Sequence, residues 1–527
     1  MRSGRGVGSQ RQRQRGNLYL YGQRSIQLSG SEGNGIIGLN GTENLVNDTN
    51  HTIAGAGGIV FNSFTNNGTL ESEYFDGGNT LAVLANNITN WNPGTSTLTG
   101  GNYIVDDQSA LFLSLDGIPF FGGAQRGADL PTAPQIQTLS GANVSVTGSG
   151  LFTGDSAALG VLFGEFGTRP VDALGVLGTI DSGASGTAGL SLTNVGGTNF
   201  FDSYVIAPGN GVLTVSSDDG RGHLTDTATL HLDNSNLVLS ADPNDPFSYA
   251  DLVNTASSTT GNNPTSTISM VNGSGLFVQN LTNNASATGA GTATASITID
   301  GVAQNVSETN LIVGGDLYNQ VSTQGPFTGN ATASILLTNG ASLYVNGSLT
   351  NSVTSDSLQG TVSAGITVDN SSLVVNRDFN NTTNAANGNA YLSLRNNAYG
   401  EVDGAINNGA GSSIGLSGGS TLNVFGGNLT NAGTVSLGDG SLVSVSGVFD
   451  NSGGTLSLNG GESANSVFAN GFTNTGGTLN VAAGDTADFR AGDGSNSGDF
   501  LQSCHERRQR PDGAEQRNLL RRRHGQL

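Results

Sequence analysis

The residue types with the most catalytic potential stand together in Asp218-Asp219-Gly220-Arg221-Gly222-His223. Paired carboxylates beside an arginine and a histidine are suited to glycoside hydrolysis, in which one acid protonates the leaving oxygen and a second carboxylate attacks or activates water. On a β-solenoid, the fold that the repeat described below predicts, such groups must come from neighbouring coils, whereas these six residues belong to one turn. A solvated Asp-Gly turn is the simpler interpretation, and we predict no catalytic residue here.

Acidic turns elsewhere offer oxygen ligands of the kind that calcium prefers. They are Asp106-Asp107, Asp242-Pro243-Asn244-Asp245 and Gly492-Asp493-Gly494-Ser495-Asn496. None completes an EF-hand loop, and no Gly-Gly-x-Gly-x-Asp repeat recurs in tandem. The histidines also lack the spacing of a metal site; they are His51, His223, His231, His505 and His524. We therefore predict neither a metal site nor a cofactor.

A polysaccharide lyase on a β-solenoid would need a lysine or arginine base beside acids that bind calcium. The chain contains no lysine, and its central part carries only isolated arginines: Arg126, Arg169, Arg221, Arg377, Arg395 and Arg490. The other 13 of its 19 basic residues lie in the first 24 or the last 21 positions. The centre is therefore strongly acidic, which argues against nucleic-acid binding, because that requires clustered cations.

Composition excludes several further classes of protein. The formal net charge is −21, glycine accounts for 82 of 527 residues, and charged residues make up only 11%. No apolar run approaches the roughly 18 residues of a transmembrane helix. Cys504 is the only cysteine, so no disulfide can form within the chain. Abundant Gly, Asn, Ser and Thr could indicate disorder, but alternating Leu, Val and Ile pairs provide a thin continuous core.

A degenerate repeat between Ser274 and Val481 is the element that must position any functional group. Its asparagine anchors are Asn283, Asn319, Asn351, Asn381, Asn408, Asn431, Asn451 and Asn474, separated by 36, 32, 30, 27, 23, 20 and 23 residues. A second fragment repeats alternating apolar pairs such as Ile335/Leu337 and Ile366/Val368. Recurrence at this interval is typical of a solenoid. The i, i+2 apolar spacing favours strands over helices.

The chemistry of one repeat explains the prediction. In Leu343-Tyr344-Val345, alternation directs the outer two side chains inward and Tyr344 outward. Gly347 allows a bend, Leu349 returns to the interior, and Asn351 is expected at a corner, where stacked amides could form a ladder. Each coil needs its neighbours to bury its apolar face. We predict an all-β, right-handed parallel β-helix with irregular coils of about 20–35 residues.

Three further segments carry a recognisable pattern. They are residues 50–59 (Asn-His-Thr-Ile-Ala-Gly-Ala-Gly-Gly-Ile), 64–70 (Phe-Thr-Asn-Asn-Gly-Thr-Leu) and 98–105 (Leu-Thr-Gly-Gly-Asn-Tyr-Ile-Val). Gly427–Val435 is the same kind of unit. Over roughly residues 40–500 the chain resembles bacterial autotransporter passengers and filamentous-haemagglutinin-like adhesins built of β-strand repeats. The resemblance implies a β-solenoid at the cell surface or outside the cell, and it implies no particular activity.

The chain divides by pattern into four segments. Residues 1–30 form an Arg/Gln-rich N-terminus without a secretory apolar core, residues 31–270 an irregular solenoid with loop insertions, residues 271–500 regular repeats, and residues 501–527 an Arg-rich tail. Prolines such as Pro131, Pro170 and Pro243 place the insertions in the second segment. We expect both end segments to be disordered or to derive from a shifted reading frame, the latter indicating a larger gene.

These patterns together predict an adhesin-like or structural passenger with no enzymatic activity. Its long polar faces would make weak multivalent contacts with glycans or with a host or neighbouring cell. The alternatives are a carbohydrate-active enzyme, hydrolase or lyase, on the same β-helix, and a non-functional fragment of a larger autotransporter-like gene. Three or more carboxylates or arginines clustered across neighbouring coils would favour the enzyme.

Overall fold

The computed structural model describes most of the chain between residues 12 and 522. The described residues are 12–14, 16–30, 34–38, 42–74, 78–115, 136–153, 173–183, 186–196, 203–219, 224–242, 245–301, 308–324, 329–356, 360–489, 499–502 and 521–522. None of them lies in an α-helix. The predicted all-β class is therefore confirmed for the described chain.

The fold consists of two compact units. Unit 1 comprises Met1–Ser217 with Thr225–Leu252, and unit 2 comprises Asp218–Leu224 with Val253–Leu527. The strands of unit 1 are β1 (Gln12–Gln14), β2 (Asn17–Leu20), β3 (Arg24–Ser29), β4 (Gly35–Ile37), β5 (Asn44–Asn47), β6 (His51–Asn66), β7 (Thr69–Ser72), β8 (Thr80–Ile88), β9 (Trp91–Asn92), β10 (Thr97–Thr99), β11 (Asn102–Val105), β12 (Ala110–Ser114), β13 (Thr138–Ser140), β14 (Asn143–Thr147), β15 (Leu151–Thr153), β16 (Thr179–Asp181), β17 (Thr187–Thr193), β18 (Tyr204–Ile206), β19 (Val212–Asp218), β20 (Thr227–Asp233), β21 (Asn236–Asp242) and β22 (Asp245–Tyr249). The last residue of β19 belongs to unit 2.

Unit 2 is built from strands of similar length. The first two residues of its first strand, β23, belong to unit 1. The strands are β23 (Asp251–Ser258), β24 (Thr265–Val271), β25 (Gly275–Val278), β26 (Leu281–Ala287), β27 (Thr292–Asp300), β28 (Asn310–Val313), β29 (Leu317–Thr323), β30 (Asn330–Thr338), β31 (Ser342–Val345), β32 (Leu349–Ser355), β33 (Val362–Asp369), β34 (Ser372–Val375), β35 (Phe379–Thr383), β36 (Gly388–Arg395), β37 (Tyr399–Val402), β38 (Ile406–Asn408), β39 (Ser413–Leu416), β40 (Thr421–Val424), β41 (Leu429–Asn431), β42 (Thr434–Leu437), β43 (Leu442–Asp450), β44 (Thr455–Leu458), β45 (Ser466–Thr473), β46 (Thr478–Val481), β47 (Thr486–Phe489), β48 (Asp499–Gln502) and β49 (Arg521–Arg522).

Successive coils pair in parallel and in register, as the repeat predicts. In unit 2 each regular coil adds one strand to each of three parallel series; β30, β31 and β32 form one such coil and pair with β33, β34 and β35 of the next. The predicted apolar pairs align across coils, as Ile335 with Ile366 and Ile366 with Leu392. This pairing is that of a parallel β-solenoid, and the handedness stays a prediction.

The core of unit 2 is narrow and is filled by two kinds of inward row. Leucine, valine and isoleucine form one kind, and Leu343, Val345 and Leu349 are at most 1% exposed. The other kind is a cluster of small buried residues, mainly alanines with some valines: Ala256, Ala285, Ala287, Ala293, Ala295, Val321, Ala331, Ala333, Val353, Val362, Ala364 and Ala390.

A column of buried asparagines runs through the interior of unit 2. All eight predicted anchors are fully buried, and Asn254 begins the column. Each Nδ2 donates to the Oδ1 of the next asparagine, at 2.7–2.8 Å, from Asn254 through Asn474. The predicted ladder is confirmed, and the Ser266 hydroxyl caps its first acceptor, Asn254 Oδ1, at 2.6 Å.

The expected corner position is wrong for the first four anchors, which lie inside strands: Asn283, Asn319, Asn351 and Asn381. It holds better for the last four, since Asn408 and Asn431 end their strands and Asn451 and Asn474 follow a strand directly before a turn or bend. Asn351 lies inside β32 with an inward side chain, because the interior offers backbone carbonyls that its second amide hydrogen can satisfy. Its Nδ2 reaches the carbonyls of Ala364 and Tyr391 at 3.0 and 3.1 Å. Left-handed turns are instead occupied by other asparagines, such as Asn339 and Asn370, with φ of 57° and 47°.

A second column of hydrogen bonds, which was not predicted, connects the bends that precede the asparagine anchors in successive coils. The Oδ1 of Asn280 accepts from the Asp316 N–H of the next coil, and Asp316 Oδ1 accepts from the Ser348 N–H. Bends further along the chain repeat this contact. A Cβ added at Gly347 would lie 2.3 Å from Asp316 Oδ1. The bend glycine is therefore required for close stacking of coils, and its φ lies outside the left-handed region.

Unit 1 also contains hydrogen bonds between buried asparagines, but they follow a less regular pattern. Asn47 Nδ2 donates to Asn66 Oδ1 at 2.8 Å, but Asn66 continues through its backbone N–H to Asn90 Oδ1. The first acceptor, Asn47 Oδ1, receives the Nδ1–H of the buried His51 at 2.8 Å. Burial lowers the pKa of His51. Residues 16–30, assigned by composition to the atypical N-terminus, contain β2 and β3, which pair with β5 and β6.

Candidate functional site

Four neighbouring strands of unit 1 form the floor of an outward-facing groove. They are β11, β14, β17 and β20, paired in parallel. Because alternate residues face outward, they place two rows of side chains side by side. The first row is Asn102, Asn143, Gly189 and Thr229, and the second is Ile104, Ser145, Ser191 and His231. We call this surface the β11–β20 groove; its volume is about 320 Å³.

Gly189 creates the depression in the first row. Asn143 Nδ2 donates to Asn102 Oδ1 at 3.1 Å, and Asn102 Nδ2 donates to the Thr69 hydroxyl at 3.5 Å. At position 189 this row lacks a side chain. A Cβ added there would lie 3.3 Å from Asn143 Oδ1. The amide acceptor of Asn143 therefore borders the open space above Gly189.

Three carboxylates lie at one end of the same outer face. Glu71 pairs in register with Ile104, so it extends the second row by one strand. Single carboxylate oxygens of Glu71, Glu73 and Asp106 lie within 4.8 Å of one another. Glu73 also accepts a hydrogen bond from Gln27 Nε2 at 2.5 Å. The cluster therefore combines residues from two neighbouring coils beside the groove.

The pKa values within this cluster are shifted upward. Partial burial and the charges of Glu73 and Asp106 raise the pKa of Glu71. Burial and the Glu73 charge likewise raise the pKa of Asp106. Carboxyl groups with raised pKa values can serve as general acids, and converging carboxylate oxygens can also bind a hard cation. The cluster therefore has the groups needed for general-acid catalysis and for binding a hard cation.

Asp219, from the acidic segment Asp218–His223, has a structural role. Its carboxylate is fully buried and therefore does not belong to the expected solvated turn. It accepts the N–H groups of Thr259 and Thr260, both at 2.7 Å, together with the Thr259 hydroxyl and the N–H groups of Gly261 and Asn262. Residues 258–262 therefore form a backbone nest around this anion.

These hydrogen bonds determine the ionisation of Asp219. Burial alone would raise its pKa, but the bonds from Thr259 and Thr260 outweigh that effect and hold the pKa well below the usual range. A carboxylate with its acceptor capacity so occupied is poorly placed to act as a base or nucleophile. Residues 220–223, with Arg221 and His223, lie outside the described residues.

The other acidic turns are only partly within the described chain. Asp107 Oδ1 accepts the N–H and hydroxyl of Ser149 at 2.9 and 3.0 Å, and the backbone bond lowers the pKa of Asp107. Asp107 thus connects two coils. Residues 243–244 and 492–496 fall outside the described part. Arg395 pairs with Asp369 at 2.9 Å, and His51 is used inside unit 1.

Sequence reasoning missed the groove and the carboxylate cluster. Register partners on neighbouring strands stand 33–46 positions apart in the sequence, and only the coil register brings them together. One signal was available: Glu71 and Glu73 follow the i, i+2 alternation of a single outer face, and Thr69-Leu70 of that strand matches Asn102-Tyr103 of the next.

Comparisons with known proteins add no relative. Neither family models, curated proteins nor solved structures match this chain. The described residues also include no helix with the length and apolar character needed to cross a membrane. Function must therefore be argued from the groove, the carboxylates and the outer faces themselves.

Proposed function

We propose that the chain is a surface-exposed or secreted β-solenoid passenger that binds glycans weakly and at many places along its outer faces. The observation that carries this proposal is the repetition of polar outward rows in register. In unit 2, Thr265, Thr294 and Thr332 align on consecutive coils. Hydroxyl and amide groups both donate and accept hydrogen bonds, as the hydroxyls of sugars require.

Because the polar groups repeat along each row, many weak contacts can together retain a glycan. Neighbouring strands lie about 4.8 Å apart, so an outward row presents the same group at a fixed interval. Linked contacts of this kind can exceed the affinity of a single contact by about 10²–10⁴-fold. The low content of charged residues, 11%, leaves uncharged polar groups as the most frequent outward side chains and supports hydrogen bonding as the main contact.

The test compares one glycan in two presentations. Free cellohexaose should bind the full chain weakly, whereas the same oligosaccharide immobilised densely on a surface should retain it at least 100-fold more strongly. Absence of retention on dense surfaces of neutral glycans would contradict the proposal. For the location, an antibody against the chain should label intact source cells or their medium; signal confined to lysed cells would contradict it.

Hydrolysis of a glycan is the second candidate, and the carboxylate cluster favours it. Retaining glycosidases hold two carboxyl groups about 5–5.5 Å apart, whereas inverting enzymes separate them by about 6.5–9.5 Å. The oxygens of Glu71 and Asp106 lie within 4.8 Å, which is nearer the retaining arrangement. The raised pKa of Glu71 suits a general acid.

Release of reducing ends from neutral and acidic polysaccharides decides between the two candidates. If the cluster is catalytic, Glu71→Gln should lower the rate at least 100-fold, while Glu308→Gln, at an exposed position of unit 2, should leave it unchanged. Binding without release of reducing ends by the wild-type chain would eliminate the enzyme and leave the passenger.

A further inference from the structure

The β11–β20 groove is an outward-facing surface with depth. Its first row is interrupted at Gly189, and its volume of about 320 Å³ is at the lower end of the 300–1,000 Å³ typical of ligand sites. It therefore suits a short segment of a chain molecule. All its lining residues belong to unit 1, so the groove is complete within that unit.

The direction of the groove follows from its register. Its rows run across four paired strands, so its length covers three steps of about 4.8 Å. This step is close to the advance per residue of an extended β-1,4-linked hexose chain. A ligand lying along the rows would therefore present one sugar to each strand, and its hydroxyls would meet groups that recur at nearly the same interval.

The lining offers the contacts that such a chain needs. Asn143 Oδ1 borders the space above Gly189 and can accept from a sugar hydroxyl placed there. In the second row, the hydroxyls of Ser145 and Ser191 can donate or accept. Ile104 lies in that same row and supplies an apolar surface for the CH groups of a pyranose ring.

Charge restricts the ligand further. Glu71 extends the second row directly beyond Ile104, and Glu73 and Asp106 lie next to it. The imidazole of His231 lines the opposite end. Carboxylates on a uronate-containing chain would face the acidic end and be repelled. The chain's formal charge of −21 acts in the same direction at longer range.

We propose that the β11–β20 groove is a binding subsite for a neutral, extended β-1,4-linked hexose chain that lies across the four strands. This inference rests on the proposed function, since it assigns one of the glycan contacts to a defined place. It predicts selectivity for neutral over uronate chains, and it makes Gly189 the residue whose missing side chain admits the ligand.

Gly189 allows a clean test because its φ is not in the left-handed region, and a Cβ there meets only Asn143 Oδ1 within 3.4 Å. Gly189→Leu should fill the groove without straining the backbone. Gly415 is the matched control: it is also an outward strand residue in register between two coils, it lies in unit 2, and a Cβ there would meet Ser436 Oγ at 3.7 Å.

The experiment is calorimetric titration of the full-length chain with cellohexaose and with a galacturonate hexamer. We expect Gly189→Leu to weaken cellohexaose binding at least tenfold, Gly415→Leu to change it less than twofold, and the galacturonate hexamer to bind at least tenfold more weakly than cellohexaose. Asn143→Ala, which deletes the bordering amide, should weaken binding about fivefold and serves if Gly189→Leu does not fold, as judged by circular dichroism.

The outcomes separate this inference from the proposed function. Unchanged cellohexaose affinity in both groove variants would overturn the groove assignment, while binding to dense glycan surfaces would still support the passenger. Lack of cellohexaose binding to the wild-type chain, or equal binding of the galacturonate hexamer, would also overturn the groove assignment. Loss of retention on every dense surface would contradict the passenger itself.

Discussion

Unit 2 and unit 1 place their polar side chains differently, although both are built from the same alternating strands. In unit 2 the amides of nine asparagines, from Asn254 to Asn474, form one continuous buried column. In unit 1 the amide-to-amide bond from Asn47 to Asn66 gives way to a backbone contact. The outer face of unit 1 instead carries a groove and three clustered carboxylates.

This difference separates stability from binding. An inward amide must find partners within the chain, because a buried polar group without one is costly. An outward polar group has no such requirement and remains available to a ligand. The pKa shifts depend on local partners: the pKa is lowered where donors surround the carboxylate, as at Asp219, and raised where partly buried acids cluster, as at Glu71 and Asp106.

The largest expected effect comes from breaking the amide column. Asn351→Ala removes an acceptor for Asn319 and the donor to Asn381, together with bonds to two carbonyls. Because each buried group left unpaired costs about 1–3 kcal/mol, we expect the free energy of unfolding to fall by about 4 kcal/mol. Denaturant unfolding measures it.

Asn389→Ala is the control for that measurement, because Asn389 is exposed on β36 of the same unit. A surface change of this kind should alter stability by less than about 0.5 kcal/mol. Equal effects of the two substitutions would show that the column does not stabilise unit 2, and the contrast between the two units would lose its basis.

A smaller effect, with a defined pH dependence, is expected at Asp219. Asp219→Asn places an amide among N–H donors and should cost about 2 kcal/mol at neutral pH. Because the folded-state pKa is lowered, the stability from the carboxylate is present above the ordinary Asp pKa of about 3.9 and is lost as the pH falls through the lowered folded value.

The stability difference between wild type and Asp219→Asn should therefore shrink as the pH falls below about 4. Denaturant midpoints measured from pH 7 downward test this. The control is Asp356→Asn, a substitution at an exposed position of unit 2, which should alter stability by less than about 0.5 kcal/mol. A difference for Asp219→Asn that stays constant with pH would contradict the account of the nest.

The sequence predicted the interior of unit 2 well because every coil repeats one physical constraint. The alternating pairs and anchors such as Asn351 recur on each coil, so the ladder could be expected before its geometry was known. Its place could not, because nothing local distinguishes a corner asparagine from an inward one. That choice depends on carbonyls such as those of Ala364 and Tyr391, which stand 13 and 40 residues away.

The outer face of unit 1 was much less predictable. The gap at Gly189 is a depression only because Asn143 and Thr229 flank it on adjacent strands. These neighbours stand about 40 residues away, with coil lengths that vary. Asp219 was also mispredicted, because its local sequence suggests a solvated turn. Only the chain at 258–262, about 40 residues later, encloses its carboxylate.

The central claim is that the β11–β20 groove of unit 1 holds the defined glycan subsite, while the interior column of unit 2 stabilises the fold. The most direct test is a TROSY titration of the deuterated, ¹⁵N-labelled full-length chain with cellohexaose. The account predicts that the shifted backbone amides cluster at residues 102–104, 143–145, 189–191 and 229–231, and that the Asn351 and Asn381 side-chain amides do not move. Shifts concentrated in unit 2, or no saturable shifts in the groove, would contradict it.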